Sequence, residues 1–132
     1  MTTNKNLGWL ILVVEDIEET RDGIEKLLKV DGYRVEQART LAEAILKAKR
    51  QPPDLLLVSL AGSTAWVIQA ASQIRREAGL NEEVPIVIFC IKEVIEGEEL
   101  AIGRNVYLTQ PDNFNQLIDL FRRLLLVEPI PA

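Results

Sequence analysis

The chain has 132 residues, 48% of them apolar and 27% charged, and a net charge of −5. This length suits one domain with one core, and the composition is that of a folded protein rather than a disordered one. The acidic balance argues against a broad phosphate-binding surface, so we expect no nucleic-acid partner. The absence of histidine excludes a histidine-activated nucleophile, the usual zinc sites and histidine-based pH switching.

Apolar runs and cysteine content predict where the protein works. The longest apolar run, residues 9–14, is too short to span a membrane, and it lacks the basic flank and cleavage site of a signal peptide. Cys90 is the single cysteine and cannot form an internal disulfide, which agrees with a reducing compartment. We therefore expect a cytoplasmic protein without membrane contact.

Strand-like and helix-like segments alternate along the chain. Apolar runs predict strands at 10–14, 33–38, 55–58, 84–90 and 105–109. Helical spacing predicts helices at 17–28 (closed by Gly32), 40–48 (opened by Thr40 with Glu43), 67–78 (closed by Gly79), 94–104 (the weakest) and 114–125. This alternation predicts a parallel sheet with helices on both faces. We expect a single domain over 1–132, with its core at about 9–127 and short tails at 1–8 and 128–132.

Ligand sites in doubly wound sheets lie beyond the carboxyl ends of the strands. The residues that follow the predicted strands there are Glu15 and Asp16, Ser59, Cys90, and Thr109 with Gln110. Adjacent acids such as Glu15 and Asp16 can hold Mg²⁺, which prefers oxygen ligands. Asp16 with Glu19 also fits an N-cap and a first-turn acid of the following helix, and from these two residues alone we favour the cap. A third carboxylate at position 59 would favour the metal, but that residue is serine.

Four segments resemble the response-regulator receiver domain of two-component signalling. They are "ILVVED" at 11–16, "PDLLLVSL" at 53–60, "VPIVIFC" at 84–90 and "YLTQP" at 107–111, in the family's order and spacing over about 10–127. The resemblance implies an α/β flavodoxin-like fold. It further implies a doubly wound, five-stranded parallel sheet of strand order 2-1-3-4-5, with helices on both faces.

The resemblance also implies a site, from which this chain departs. A typical receiver holds Mg²⁺ between acids and takes a phosphoryl group from a histidine kinase onto an aspartate that ends strand three. Matched by position, the acid pair is Glu15 and Asp16, the phosphoacceptor position is Ser59, and the switch positions are Cys90 (for Ser or Thr), Tyr107 (the aromatic) and Gln110 (for lysine).

These replacements predict a degenerate receiver that is not an enzyme and needs no cofactor. A neutral serine hydroxyl needs a base to act as a nucleophile, whereas an aspartate is already ionised. With two acids instead of three, Glu15 and Asp16 are expected to bind Mg²⁺ weakly, if at all. Gln110 can donate a hydrogen bond but cannot neutralise a phosphoryl oxygen, and we interpret Cys90 as an inert structural thiol.

Three functions remain open at this point. The first is a phosphorylation-independent module that binds a signalling protein: a histidine kinase, a regulator or an output protein. The resemblance places such contacts, or a homodimer, on the face formed by about 94–127, and Trp66 is a second candidate contact. The second function is a working phosphoacceptor that uses Asp54 or Ser59. The third is a small flavodoxin-like enzyme, although no glycine-rich phosphate loop follows the first strand.

Overall fold

The protein was analysed as a computed structural model, which describes residues 8–89, 94–111 and 113–125. The strands in this part of the chain are β1 (Leu10–Glu15), β2 (Arg34–Ala38), β3 (Leu55–Ser59), β4 (Ile86–Phe89), β5 (Glu99–Gly103) and β6 (Val106–Thr109). The helices are α1 (Glu18–Val30), α2 (Leu41–Arg50), α3 (Thr64–Ala78) and α4 (Phe114–Leu125). None of these helices has the length and apolar character that crossing a membrane requires.

The strands form one sheet in the order β2-β1-β3-β4-β6-β5. Strands β2, β1, β3, β4 and β6 are parallel, and β5 alone runs antiparallel, next to β6. Since β6 takes the fifth place in the parallel series, the predicted flavodoxin-like topology is confirmed. The sheet differs from the prediction by one added edge strand.

Each face of the sheet has its own core, because alternate residues of a strand point to opposite faces. Leu12, Leu56 and Ile74 belong to the core under α2 and α3. Ile11 and Phe121 belong to the core under α1 and α4. Leu10 to Val14 of β1 are buried and apolar on both faces, which is why an uninterrupted apolar run marks this strand in the sequence.

The ends of two helices follow the predicted signals. The Thr40 hydroxyl accepts a hydrogen bond from the Glu43 N–H at 3.1 Å and so opens α2. Gly79, at φ 71°, closes α3 in the left-handed conformation. The N-cap interpretation of Asp16 is wrong: α1 begins after Ile17, which makes no side-chain capping bond. The backbone of Ile17 is extended, so the helix begins at Glu18 and not directly after the acid pair.

The predicted helix at 94–104 is wrong. Residues 96 and 97 form a turn, and the chain then extends into β5. Gly97 and Gly103 have φ of 89° and 99°, which a helix does not accommodate. Arg104 and Asn105 both adopt left-handed conformations, at φ 55° and 62°, and turn the chain directly from β5 into β6. This is the geometry of a two-residue type I′ hairpin.

Arg75 of α3 fixes that hairpin in place. Its guanidinium is buried and donates hydrogen bonds to the carbonyls of Asn81, Val84 and Arg104 at 2.7, 2.9 and 2.8 Å. Burial lowers the pKa of Arg75, and Glu82 opposes this shift. One side chain thus satisfies three backbone carbonyls from two separate loops.

Candidate functional site

Strands β1 and β3 bring the acid pair and the phosphoacceptor position together. Glu15 and Ser59 are register partners at the carboxyl ends of these neighbouring strands. Adjacent strands lie about 4.8 Å apart, so the two side chains are neighbours at the edge where the sequence placed the site. The Ser59 hydroxyl lies within hydrogen-bonding reach of the Glu15 carboxyl group.

Glu15 is a buried acid with local partners. Only 3% of the residue is exposed, and one carboxyl oxygen accepts a hydrogen bond from the Ile17 N–H at 3.1 Å. Burial raises the pKa of Glu15 above its ordinary value of 4.5, and neighbouring Asp16 acts in the same direction. Hydrogen bonds from Ser59 and Ile17 lower the pKa and partly offset the effect of burial. The carboxylate is therefore held by its surroundings instead of facing open solvent.

Arg21 is a site residue that the sequence analysis missed. It is 6% exposed and donates hydrogen bonds to the Glu15 carbonyl at 2.9 Å and to the Gln37 side chain at 2.7 Å. These hydrogen bonds connect α1 and β2 to the end of β1, and they hold the backbone of Glu15 in position. A signal was present, because Arg21 stands three residues before Ile24 and seven before Leu28, on the core-facing side of the helix.

Asp16 is exposed and opens onto a groove of about 580 Å³ between α2 and α3. The groove is lined by apolar and polar side chains that include Leu41, Leu60 and Trp66. Trp66 is 44% exposed, and its ring packs on Gly62 so closely that a Cβ there would approach it to 2.9 Å. The predicted contact residue therefore lies beside the acid pair, as one wall of an apolar groove.

The described switch positions, Tyr107 and Gln110, form hydrogen bonds with different parts of the chain. The Tyr107 hydroxyl donates to Asn105 at 2.8 Å, which directs it towards the β5–β6 turn and away from the carboxyl end of β6. Gln110 follows β6, and its carbonyl accepts a hydrogen bond from the Gly97 N–H at 2.7 Å. Thr109 is buried, and its hydroxyl donates to the Glu98 carbonyl at 3.3 Å. Cys90 lies outside the described residues.

The donor set at the strand ends fits Mg²⁺ poorly. Over residues 8–89, 94–111 and 113–125, no three or more Asp, Glu, His or Cys side chains are grouped to hold a metal ion. The acid pair supplies two carboxylates, and one oxygen of Glu15 is already bonded to the Ile17 N–H. Mg²⁺ prefers a nearly octahedral set of oxygens, so most of its ligands here would be water.

Comparison with known proteins identifies the family. The model of the response regulator receiver domain matches residues 11–122, and the chain belongs to this family. Response regulator MprA of Mycobacterium tuberculosis is 26% identical over 117 residues, which cover 87% of this chain and 50% of the relative. The KDP operon transcriptional regulatory protein KdpE of Escherichia coli is 27% identical over 110 residues, covering 81% and 47%. The chain thus spans about half the length of these curated relatives.

Solved receiver structures share the fold. The response regulator TrrA of Thermotoga maritima, solved in complex with Mg²⁺ and BeF, matches with a TM-score of 0.69 at 20% identity, covering 89% of this chain and 99% of that one. The receiver domain of sensor histidine kinase PA1611 of Pseudomonas aeruginosa, solved with a magnesium ion coordinated in its active-site cleft, matches with a TM-score of 0.66 at 27% identity. That match covers 89% of this chain and 98% of the other.

Proposed function

We propose that this receiver domain is a phosphorylation-independent interaction module of two-component signalling. The observation that carries the proposal is the pairing of Ser59 with Glu15, which puts a neutral hydroxyl beside a buried acid at the phosphoacceptor position. An aspartate there would be an ionised nucleophile and a metal ligand at once, and serine is neither.

Electrostatics at the site oppose a phosphoryl group on Ser59. A phosphoserine carries close to two negative charges at neutral pH, and it would stand beside Glu15 and Asp16. Position 110 offers glutamine where a typical receiver offers lysine, so this position supplies no compensating cation. Like charges in a partly buried site raise each other's pKa and destabilise the folded state.

Two of the similar proteins illustrate what is different here. TrrA was solved with Mg²⁺ and BeF, and the PA1611 receiver domain with magnesium in its cleft. In this chain the corresponding edge offers Glu15, Asp16 and the Ser59 hydroxyl. We therefore propose that Mg²⁺ is not required for its function and that the domain is not an enzyme.

The module would act on another signalling protein in the cytoplasm: a histidine kinase, a regulator or an output protein. Its curated relatives carry about as much chain again beyond the matched part. Two surfaces are available for such a contact. One is the part of the chain at 94–127 that the structure describes, and the other is the groove beside Trp66.

The alternative function is phosphotransfer to Ser59 itself. It is supported by the proximity of Glu15, a carboxylate with a raised pKa that is placed to take the hydroxyl proton. Asp54 is a poorer candidate, because its carboxylate accepts the Leu10 N–H at 2.7 Å, at the opposite end of β1 from the acid pair.

Intact-mass measurement separates these functions. The parent and a Ser59→Ala variant are incubated with acetyl phosphate and Mg²⁺, with a receiver that retains its aspartate as a positive control. We expect no phosphoryl adduct on the parent or on the Ser59→Ala variant, whereas the control receiver is modified. A stoichiometric adduct on the parent that is lost in Ser59→Ala would establish Ser59 as a phosphoacceptor and overturn the proposal.

A further inference from the structure

The groove between α2 and α3 has an apolar surface that is supported by the core. Leu41, Ile45 and Leu60 line it, are partly buried and pack against the core under α2 and α3. Trp66 lines the α3 side and is 44% exposed. The volume of about 580 Å³ lies in the range of sites that bind other molecules, which are mostly apolar with a few polar groups. The groove is therefore a preformed apolar site that leaves a large aromatic side chain open to solvent.

The polar groups of the groove place negative charge at both of its ends. Asp16 lines the end next to the acid pair and is exposed. Glu77 lines the other end, is exposed, and its carboxylate accepts a hydrogen bond from the neutral Gln73 amide at 2.8 Å. Arg39 also lines the groove, but an ion pair with Glu43 at 3.6 Å offsets its charge. Cationic groups are the complement of such a surface.

The walls of the groove favour a helix as its occupant. Trp66 and Glu77 stand about three turns apart on α3, a distance of about 16 Å along the helix axis. The backbone groups of α2 and α3 are bonded within these helices, so the walls offer no partners to the backbone of an extended peptide. A helix satisfies its own backbone groups and presents side chains from successive turns to an apolar groove. About three turns of such a helix would span the two charged ends.

We propose that the groove binds a basic amphipathic helix of another protein, with an apolar side chain against Trp66 and basic residues that meet Asp16 and Glu77. This inference rests on the proposed function, because it names the kind of partner that the interaction module binds. Glu18 and Glu19 are exposed and follow Asp16 directly along the chain, so they strengthen the negative potential at that end. A second copy of the chain carries the same net charge of −5 and is the less suitable occupant.

Two synthetic helical peptides of about four turns test the chemistry of the occupant. The basic peptide carries leucine at helical spacing on one face and lysine on the other, and the acidic peptide has glutamate in place of each lysine. Isothermal titration calorimetry measures the binding of each peptide to the full chain. We expect the basic peptide to bind in the micromolar range and the acidic peptide at least tenfold more weakly. Equal binding of the two peptides, or no binding of the basic peptide at millimolar concentration, would overturn the proposal.

Substitutions in the chain test where the basic peptide binds. Trp66→Ala should weaken binding about tenfold or more, because aromatic anchors dominate interfaces of this kind. The matched control is Val30→Ala, since Val30 is 87% exposed on α1 and lies outside the groove. Ala42 is exposed in the groove, so Ala42→Lys should weaken binding about threefold and Ala42→Glu should strengthen it about threefold. Thermal melts verify that each variant is folded.

The outcomes separate this inference from the proposed function. If Trp66→Ala changes binding no more than Val30→Ala does, or if the two Ala42 variants change it in the same direction, the peptide does not occupy the groove and the inference fails. The titrations contain neither a phosphodonor nor Mg²⁺. A phosphoryl adduct on Ser59 would therefore overturn the proposed function while leaving the groove's affinity for the basic peptide as measured. Failure of groove binding in a chain that takes no phosphoryl group would overturn this inference alone.

Discussion

Replacing Ser59 with aspartate restores the third carboxylate beside the acid pair and tests how the site is built. Glu15 is the register partner of residue 59, so the new charge would stand on the adjacent strand, about 5 Å away. Two unit charges at that separation repel by about 1–3 kcal/mol for effective dielectric constants of about 20–80. The serine hydrogen bond to Glu15 is lost as well, which adds about 1 kcal/mol.

Part of this repulsion is relieved by proton uptake. The pKa of Glu15 is already raised by burial and by Asp16, so the added aspartate raises it further. Solvent around the exposed Asp16 screens the remainder. We expect a net loss of about 2 kcal/mol at neutral pH without metal, which lowers the melting temperature of a domain of this size by about 6–10 °C.

Mg²⁺ should restore most of that loss, because it binds the folded site and not the unfolded chain. At a concentration tenfold above its dissociation constant it contributes about 1.4 kcal/mol. The assay is thermal unfolding of the parent, Ser59→Asp and Ser59→Asn in EDTA and in millimolar Mg²⁺. The asparagine variant matches the size of the aspartate without its charge. Adding Gln110→Lys to Ser59→Asp should relieve part of the loss even in EDTA.

The refuting result is a uniform response to metal. If Mg²⁺ raises the melting temperature of all three chains equally, the side chain of residue 59 does not face the acid pair. If Ser59→Asn falls as far as Ser59→Asp in EDTA, the loss comes from side-chain size and not from charge.

Mg²⁺ added to the parent should change the fluorescence of Trp66 without saturating below about 1 mM, since the site offers two carboxylates; sub-millimolar saturation would contradict this. Arg75→Met should destabilise the fold by about 3 kcal/mol in denaturant unfolding, because three carbonyls lose their donor. Arg76→Met, at the exposed neighbouring position, is the control and should change stability little. The pKa of Glu15 is higher in the folded chain than the ordinary value of 4.5. The free energy of unfolding should therefore fall as the pH rises from about 4.5 through the folded-state pKa, because the folded chain must then bury a charge. Glu15→Gln should remove this component, and melts of the two chains across that range should diverge in favour of glutamine; parallel curves would argue against the burial of the charge.

The parallel sheet was predictable because its strands are buried on both faces. Leu55 to Val58 are apolar without interruption, which is typical of a short strand covered on two sides. Thr40 and Gly79 marked helix ends through backbone chemistry that acts locally. Such signals need no knowledge of the rest of the chain.

The hairpin formed by β5 and β6 was missed because its first strand depends on its neighbour. Glu99 to Gly103 become a strand only by pairing with β6, a tertiary contact that overrides a weak helical pattern. Local signals of the true structure were present in Gly97, in Gly103 and in the alternation of Leu100 and Ile102.

The candidate site was predictable in position but not in environment. That Glu15 and Ser59 meet follows from the rule that parallel strands end at one edge. The burial of Glu15 and the bond from Arg21 to its carbonyl depend on how α1 and β2 pack around β1. A one-dimensional pattern does not contain that three-dimensional arrangement.

The two edges of the sheet set a limit on how far this protein can assemble. A chain with two apolar edges would add copies at both ends and grow into a fibre. Here the β2 edge carries Arg34 and Glu36, and the β5 edge is interrupted by a β-bulge between Ala101 and Gly103. Charged side chains and bulges are both devices that disfavour edge-to-edge pairing of sheets. Neither edge of the described sheet therefore offers a regular template on which further chains could add as strands.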